Sequence, residues 1–334
     1  TYTVWKFDRN GKLVKKFGEK GTGKGQFVMR ANVEGILGEK YVYTSDAQGR
    51  ILFFDLEGNY IKKLKLDYMP LRTLPLSQMK IAISGHVPMG KGRVKNVISL
   101  PDFNTGKENI IWEGSYDPML TEIKLDNGKS MFARLNISYP PVTRFGIAST
   151  KSGNLLVASN EGQKIMEYSP EGKLIRSLPV DMEPVHITDE DINRMYDLQM
   201  KSFDRFQEQI IEKRGLTPEE LDQIKKKYTE KLEGNRENMK AGDPLPFYST
   251  ILTDPEDNIL VFEFTEEKNN NQFSVFALNR NGALIGISKF QADDYNLTFI
   301  DDKFVFQDDF IYAVASKTNV DGIPLRLVKF TPAN

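Results

Sequence analysis

The chain has 334 residues, 40% hydrophobic, 27% charged and 11% aromatic, which supports a sizeable core and excludes a disordered or collagen-like polymer. Its 45 Lys and Arg stand against 46 Asp and Glu, a net charge of -1 that argues against coating nucleic acid or anionic membrane. There is no cysteine, so disulfides, thiolate zinc sites and cysteine nucleophiles are excluded, and no run approaches the about 18 apolar residues of a transmembrane segment.

The chain opens on VWKFDRNGKLVKKF (4–17), two alternating apolar runs around a polar turn with Gly11, which reads as a β-hairpin. In the following GEKGTGKGQF (18–27), Gly18, Gly23 and Lys24 match the opening of a phosphate-binding G-x-x-x-x-G-K loop. Gly25 stands where Ser or Thr is needed and no helix pattern follows, so this stretch reads as a connection between sheets. VEGIL and YVYTSD (33–46) predict two strands before the hairpin returns as ILFFDLEGNYIKKL (51–64). A weaker copy, ISLPDFNTGKENIIW (98–112), has a turn one residue longer at Gly106, and the connection after it (114–143) carries a short hairpin of its own, LTEIKLDNGKSMFARL.

FGIAST and LLVASN (145–160) then precede IMEYSPEGKLIRSL (165–178). Residues 186–241 predict an α-helical hairpin. Its first helix follows the capping pattern Thr188 to Asp191 and sets Ile192, Met195, Tyr196, Phe203, Phe206 and Ile210 on one face. The second opens at Thr217 with Pro218 and Glu220 behind it, and carries Leu221, Ile224, Tyr228 and Leu232 at helical spacing. STILTD and ILVFEF (249–264), VFALNRNGALIGIS (275–288) and LVKFTPAN (327–334) complete the series.

Six copies spaced 47, 47, 67, 110 and 52 residues apart, most with two further strands upstream, imply four-stranded antiparallel units with strands a to d. Such units repeated radially remove most exposed edges, so the expected fold is an all-β propeller, six-bladed when intact, in one domain over 1–334. A five-bladed ring is the alternative. The chain begins and ends on a c strand, so further strands are expected beyond Thr1. Both insertions (114–143 and 186–241) are d-to-a connections, which share the top face of a propeller, and the helical one is expected to rest there or act as a lid.

The turn glycines, the c/d hairpin and the segment 18–27 resemble NHL-type six-bladed propellers, in particular bacterial ones that are exported and often lipid-anchored. That resemblance implies a periplasmic or cell-surface protein. Some propellers of this kind are metal-dependent lyases or lactonases, so a metal-dependent lyase or lactonase-like hydrolase at the channel mouth is the alternative function.

Counting back from the c strands, arginine stands just before strand a three times, as Arg30, Arg72 and Arg144, with Tyr248 at the comparable place in the next blade. Aromatics, Tyr139 among them, lie just upstream. Pointing inward, these guanidinium groups would suit a carboxylate, sulfate or phosphate, and the rings a sugar. Pairing of each arginine with a neighbouring blade is the competing reading. His186, at the foot of the helical insertion, joins the candidates because of its top-face position. The expected function is non-catalytic binding or scaffolding: a monomer whose top face takes an anionic small molecule, a glycan or a partner protein. No cofactor is expected; the two histidines lack metal spacing, and the pairs Asp293/Asp294, Asp301/Asp302 and Asp308/Asp309 leave Ca²⁺ open. Trp5 and Trp112 are expected to pack between blades.

Overall fold

The structure, a computed structural model, describes residues 1–46, 49–76, 79–90, 93–117, 120–134, 145–159, 163–183, 186–214, 216–244, 248–263, 272–291, 296–297, 304–307, 310–316 and 325–330. Among the described residues six antiparallel blade sheets follow one another along the chain, besides a separate hairpin and a short parallel pair. The first is the hairpin β1 (Val4–Phe7) and β2 (Leu13–Phe17). A short parallel pair, β3 (Glu19–Lys20) and β4 (Gln26–Phe27), leads to the second blade, β5 (Asn32–Leu37), β6 (Tyr41–Asp46), β7 (Arg50–Asp55) and β8 (Tyr60–Lys65). The third blade is β9 (Met69–Pro75), β10 (Ile81–Gly90), β11 (Arg93–Ser99) and β12 (Ile110–Asp117), after which β13 (Leu120–Lys124) and β14 (Ser130–Arg134) form a separate hairpin. The fourth blade is β15 (Phe145–Ser149), β16 (Leu155–Ser159), β17 (Lys164–Tyr168) and β18 (Leu174–Pro179).

Two helices, α1 (Asp189–Arg214) and α2 (Pro218–Asn238), separate it from the fifth blade: β19 (Tyr248–Thr253), β20 (Ile259–Glu263), β21 (Gln272–Leu278) and β22 (Leu284–Gln291). In the sixth sheet β23 (Asn296–Leu297) and β24 (Phe304–Gln307) share one edge of β25 (Phe310–Ser316), and β26 (Leu325–Phe330) takes the other. This is the β-propeller of four-stranded blades that the repeats predict. Strands a pack side by side in the order β5, β9, β15, β19, as the inner strands of a radial array do.

The c/d turns form as their sequences dictate. Gly11, Gly58, Gly106, Gly172 and Gly282 all have φ between 73° and 85°, which a residue with Cβ seldom adopts. Each turn is opened by a short polar residue whose carbonyl accepts from the glycine N–H, as in Gly11 to Asp8, Gly58 to Asp55, Gly172 to Ser169 and Gly282 to Asn279. The opening side chain also takes later N–H groups: Asp8 Oδ1 accepts from Asn10 and Lys12 at 2.9 Å.

The cores lie between blades. Leu37, Tyr43, Ile51 and Phe53 of blade 2 meet Ile81, Ile83 and Val97 of blade 3. Ile98 and Ala82 of blade 3 meet Ile147, Leu155 and Val157 of blade 4, whose other face packs Ile165 and Leu178 on Ile251 and Val261 of blade 5. Phe262 and Val275 then meet Ala313 and Ala315 of the sixth sheet. The inner strands of a blade therefore bury both faces, which explains why b strands such as LLVAS are almost wholly apolar. Trp112 packs in the blade 3/4 core as expected. Trp5 does not: it is 48% exposed, stacked on Phe7 with Lys16 Nζ 3.9 Å from its ring centre, because β1 turns Val4 rather than Trp5 toward blade 2.

Candidate functional site

The two insertions, far apart in sequence, form one body. Ile123 of β13 and Leu125 just beyond it share a core with Phe203 of α1 and Ile224, Tyr228 and Leu232 of α2. Phe203 and Tyr228 stack with ring centres 3.9 Å apart, and the Tyr228 hydroxyl accepts from Gln199. Glu220, buried at the start of α2, receives Asn127 Nδ2 at 2.8 Å and Lys129 Nζ at 2.6 Å from the β13–β14 turn. It also closes a capping box with Thr217. The Lys129 and Asn127 donors and the Thr217 N–H hold its carboxyl well below the usual range, at about 2. Lys227 Nζ bonds Asp126 at 2.8 Å and the Lys124 carbonyl at 2.6 Å. We call this body the cap. It springs from two d-to-a connections, the end of the ring that the sequence assigns to both insertions.

His186 stands at the foot of the cap. It is exposed, bridges to Pro244, and its Nδ1 lies 2.7 Å from the Gly242 carbonyl. With Ile187 N–H donating to Asp243 O and Gly242 N–H to Ile187 O, it clasps the two ends of the helical insertion together. His86 lies on β10, in another blade. Among the described residues no three His, Asp or Glu side chains gather as metal ligands would.

The arginine positions separate in three dimensions. Arg30 lies two residues before β5, is exposed, and makes no hydrogen bond or ion pair with another described residue. Arg72 lies inside β9, opposite Ser84, and is 8% exposed; its Nη1 donates to the Ile147 carbonyl of blade 4 at 2.9 Å. Tyr248 opens β19, fully buried, and its hydroxyl donates to the Ser159 carbonyl, also of blade 4; burial raises its pKa. Arg72 and Tyr248 are thus ties between blades rather than groups open to a ligand. The expected shared register fails for a physical reason. The a-to-b turns differ in length, three residues after Leu37 and five after Pro75, and register shifts interrupt β5, β9 and β19 at different distances from these turns. Tyr139 and Arg144, and the three Asp pairs, lie outside the described residues.

Two polar groups escaped the sequence reading. Glu34, in the irregular part of β5, accepts from Ser45 of its own blade and from Thr73 Oγ1 of blade 3 at 3.2 Å, tying the inner ends of two blades. Asp46 and Arg50 flank the b-to-c turn of blade 2 as a buried ion pair, with Arg50 Nε donating to Asp46 at 2.8 Å and Nη2 reaching the Gln26 carbonyl at 3.2 Å. A lone acid in an apolar strand-a run, and Asp and Arg four apart across a turn, are the only signals that mark them. The glycine segment 18–27 forms no helix: Gln26 Oε1 accepts from Gly23 N–H at 2.7 Å and Arg50 holds the end of the segment, so it is a connection and no phosphate cradle.

No family model matches the chain, and no curated protein matches it in sequence. Among solved structures, a member of the DUF4221 family from Bacteroides vulgatus superposes with a TM-score of 0.50 at 13% identity, covering 98% of this chain and 87% of that one. A Bacteroides fragilis protein named as exported matches at 0.44 and 11% identity, over 93% of this chain and 73% of its own. The virginiamycin B lyase of Staphylococcus aureus matches at 0.35 and 10% identity, over 94% and 69%. The likeness is to β-propeller proteins, and what it shows is the fold.

Proposed function

We propose that the chain is a binding propeller, of the NHL type that its hairpins resemble, whose cap and neighbouring connections form a recognition face for an anionic small molecule, glycan or acidic partner. The observation that carries this reading is Arg30. It leaves a guanidinium with no hydrogen bond or ion pair to another described residue in a d-to-a connection, at the ring end where two other d-to-a connections build a folded cap, while the deeper Arg72 is spent on a tie between blades. An exposed guanidinium takes carboxylate, sulfate or phosphate through paired N–H donors. Non-repeating segments on a repeated scaffold are also where binding differs from one propeller to another. Export to the periplasm or cell surface belongs to the same reading and rests on the family resemblance.

The test is a thermal-shift panel of uronic acids, sulfated and neutral sugars, phosphates and divalent cations. A ligand at 100 times its Kd adds about 2.7 kcal/mol. Stabilisation by anions that vanishes in Arg30→Ala supports the reading, with Arg144→Ala as the test of the other arginine that the sequence pattern offers. A response confined to divalent cations turns it toward a metal-dependent lyase or hydrolase. Anion stabilisation that survives Arg30→Ala places the ligand elsewhere.

A further inference from the structure

The outermost strand of each blade is an edge, and most of these edges are defended. β2 is five residues long with Lys15 and Lys16, and β8 carries Lys62, Lys63 and Lys65. β12 holds Glu113 and Asp117 and breaks register with β11 twice. β18 has Arg176 and ends on Pro179. Charge, brevity, irregular pairing and proline are the devices by which sheets avoid adding strands. β22 has almost none of them. Its eight residues, LIGISKFQ, contain one charge, and after a single shift at its start it runs in unbroken register with β21 from Gly286 to Gln291. Every residue but Phe290 is exposed, with Leu284 at 48%, Ile285 at 56% and Ile287 at 59%. Among the described residues no strand pairs with its outer edge.

We infer that β22 is the contact of a homodimer, pairing antiparallel with β22 of a second copy across a two-fold axis at Ile287. The strand fits itself. Ile287 meets Ile287, Ile285 meets Lys289 and Leu284 meets Phe290, so its one cation never faces its own counterpart. The same operation on β8 crowds three lysines against three. The two blades then form one continuous eight-stranded sheet with main-chain hydrogen bonds across the axis. One strand pair is small beside the roughly 1,200 Å² of stable interfaces, so dissociation is expected in the micromolar range and depends on concentration.

Sedimentation velocity from about 1 to 200 μM, spanning that range, tests this. The expected result is a monomer–dimer shift that disappears in Ile287→Lys, which sets like charges face to face on the axis, together with slower hydrogen exchange at 284–291 at high concentration. Because Ile287 is exposed, the variant should keep the parent's melting temperature measured at low concentration, which separates lost pairing from lost folding. A monomer at every concentration overturns the inference, whether or not the edge accepts some other strand. So does a dimer that persists in a folded Ile287→Lys protein, or one whose 284–291 amides exchange at the same rate at both concentrations.

Discussion

The seams between blades and the cap bury similar side chains and are stabilised differently. A seam is a stack of sheet faces in which Ile, Val and Leu of two blades interlock, and several of its polar ties are side-chain donors aimed at backbone carbonyls, Arg72 to Ile147, Tyr248 to Ser159 and Thr253 to Ser149, beside carboxylate ties such as Glu34 with Thr73 and Lys80 with Glu171. Among the described residues the cap has two small cores, one around the Phe203–Tyr228 stack and one of Ile187, Ile192 and Met195, and the ties between its two insertions include charged pairs, Glu220 with Lys129 and Lys227 with Asp126. Buried donors on backbone carbonyls depend little on pH and salt. Charged ties at a surface are screened by salt and fail with protonation. The cap is therefore expected to respond to pH and salt more than the inner seams of the ring do, as the proposed recognition role would require.

The largest test of this contrast is Tyr228→Ala. Loss of a fully buried ring stacked on Phe203 should cost about 3 to 5 kcal/mol. That loss should fall on the cap alone: amides of 189–238 lose hydrogen-exchange protection while those of the blades keep it. Exchange that rises in blades 4 and 5 as well would mean that ring and cap unfold as one unit. Arg72→Met is the converse. It removes the donor to the Ile147 carbonyl and should lower global stability by about 1 to 3 kcal/mol in urea unfolding, with no selective effect on the cap.

Smaller again is Thr217→Ala, which opens the capping box of α2 and should cost the helix about 1 kcal/mol, read as faster exchange in its first turn. The finest test is acid. Glu220 has its pKa lowered from an ordinary 4.5 to about 2, so its stabilising charge is fully present above 4.5 and is lost as pH falls toward 2. Cleavage within the cap by an acid-active protease should rise over that interval, and Glu220→Gln, which carries no titrating charge, should flatten the difference between pH 5 and pH 2.5. An unchanged pH profile in Glu220→Gln would show that other carboxylates govern the cap.

The blades were readable because what makes them is local. A turn such as D-R-N-G or N-R-N-G closes within four residues, and the alternation around it sets the faces of its two strands. Helix starts were legible for the same reason: Thr188 with Asp191 and Thr217 with Glu220 cap where their spacing predicts. The candidate site was less so. Arg30, Arg72 and Tyr248 look equivalent when counted from strand c, yet one is exposed and two are buried ties, because turn lengths and register shifts lie between strand c and strand a. Trp5 was misplaced by the same kind of uncertainty: alternation says that one face is buried and leaves open which residue is on it until the neighbouring sheet is in place.

What this sequence determined by itself is the repeat: hairpins, their turns, the count of units and the places where the repeat is interrupted, all set by contacts between residues close in the chain. What only the tertiary structure decided is how distant segments meet. Asn127 reaches Glu220 across 93 residues and Arg72 reaches Ile147 across 75. Whether an arginine is spent or free depends on which carbonyl arrives beside it. Contacts at such separations follow from how the sheets stack and shift, and no local pattern carries that information.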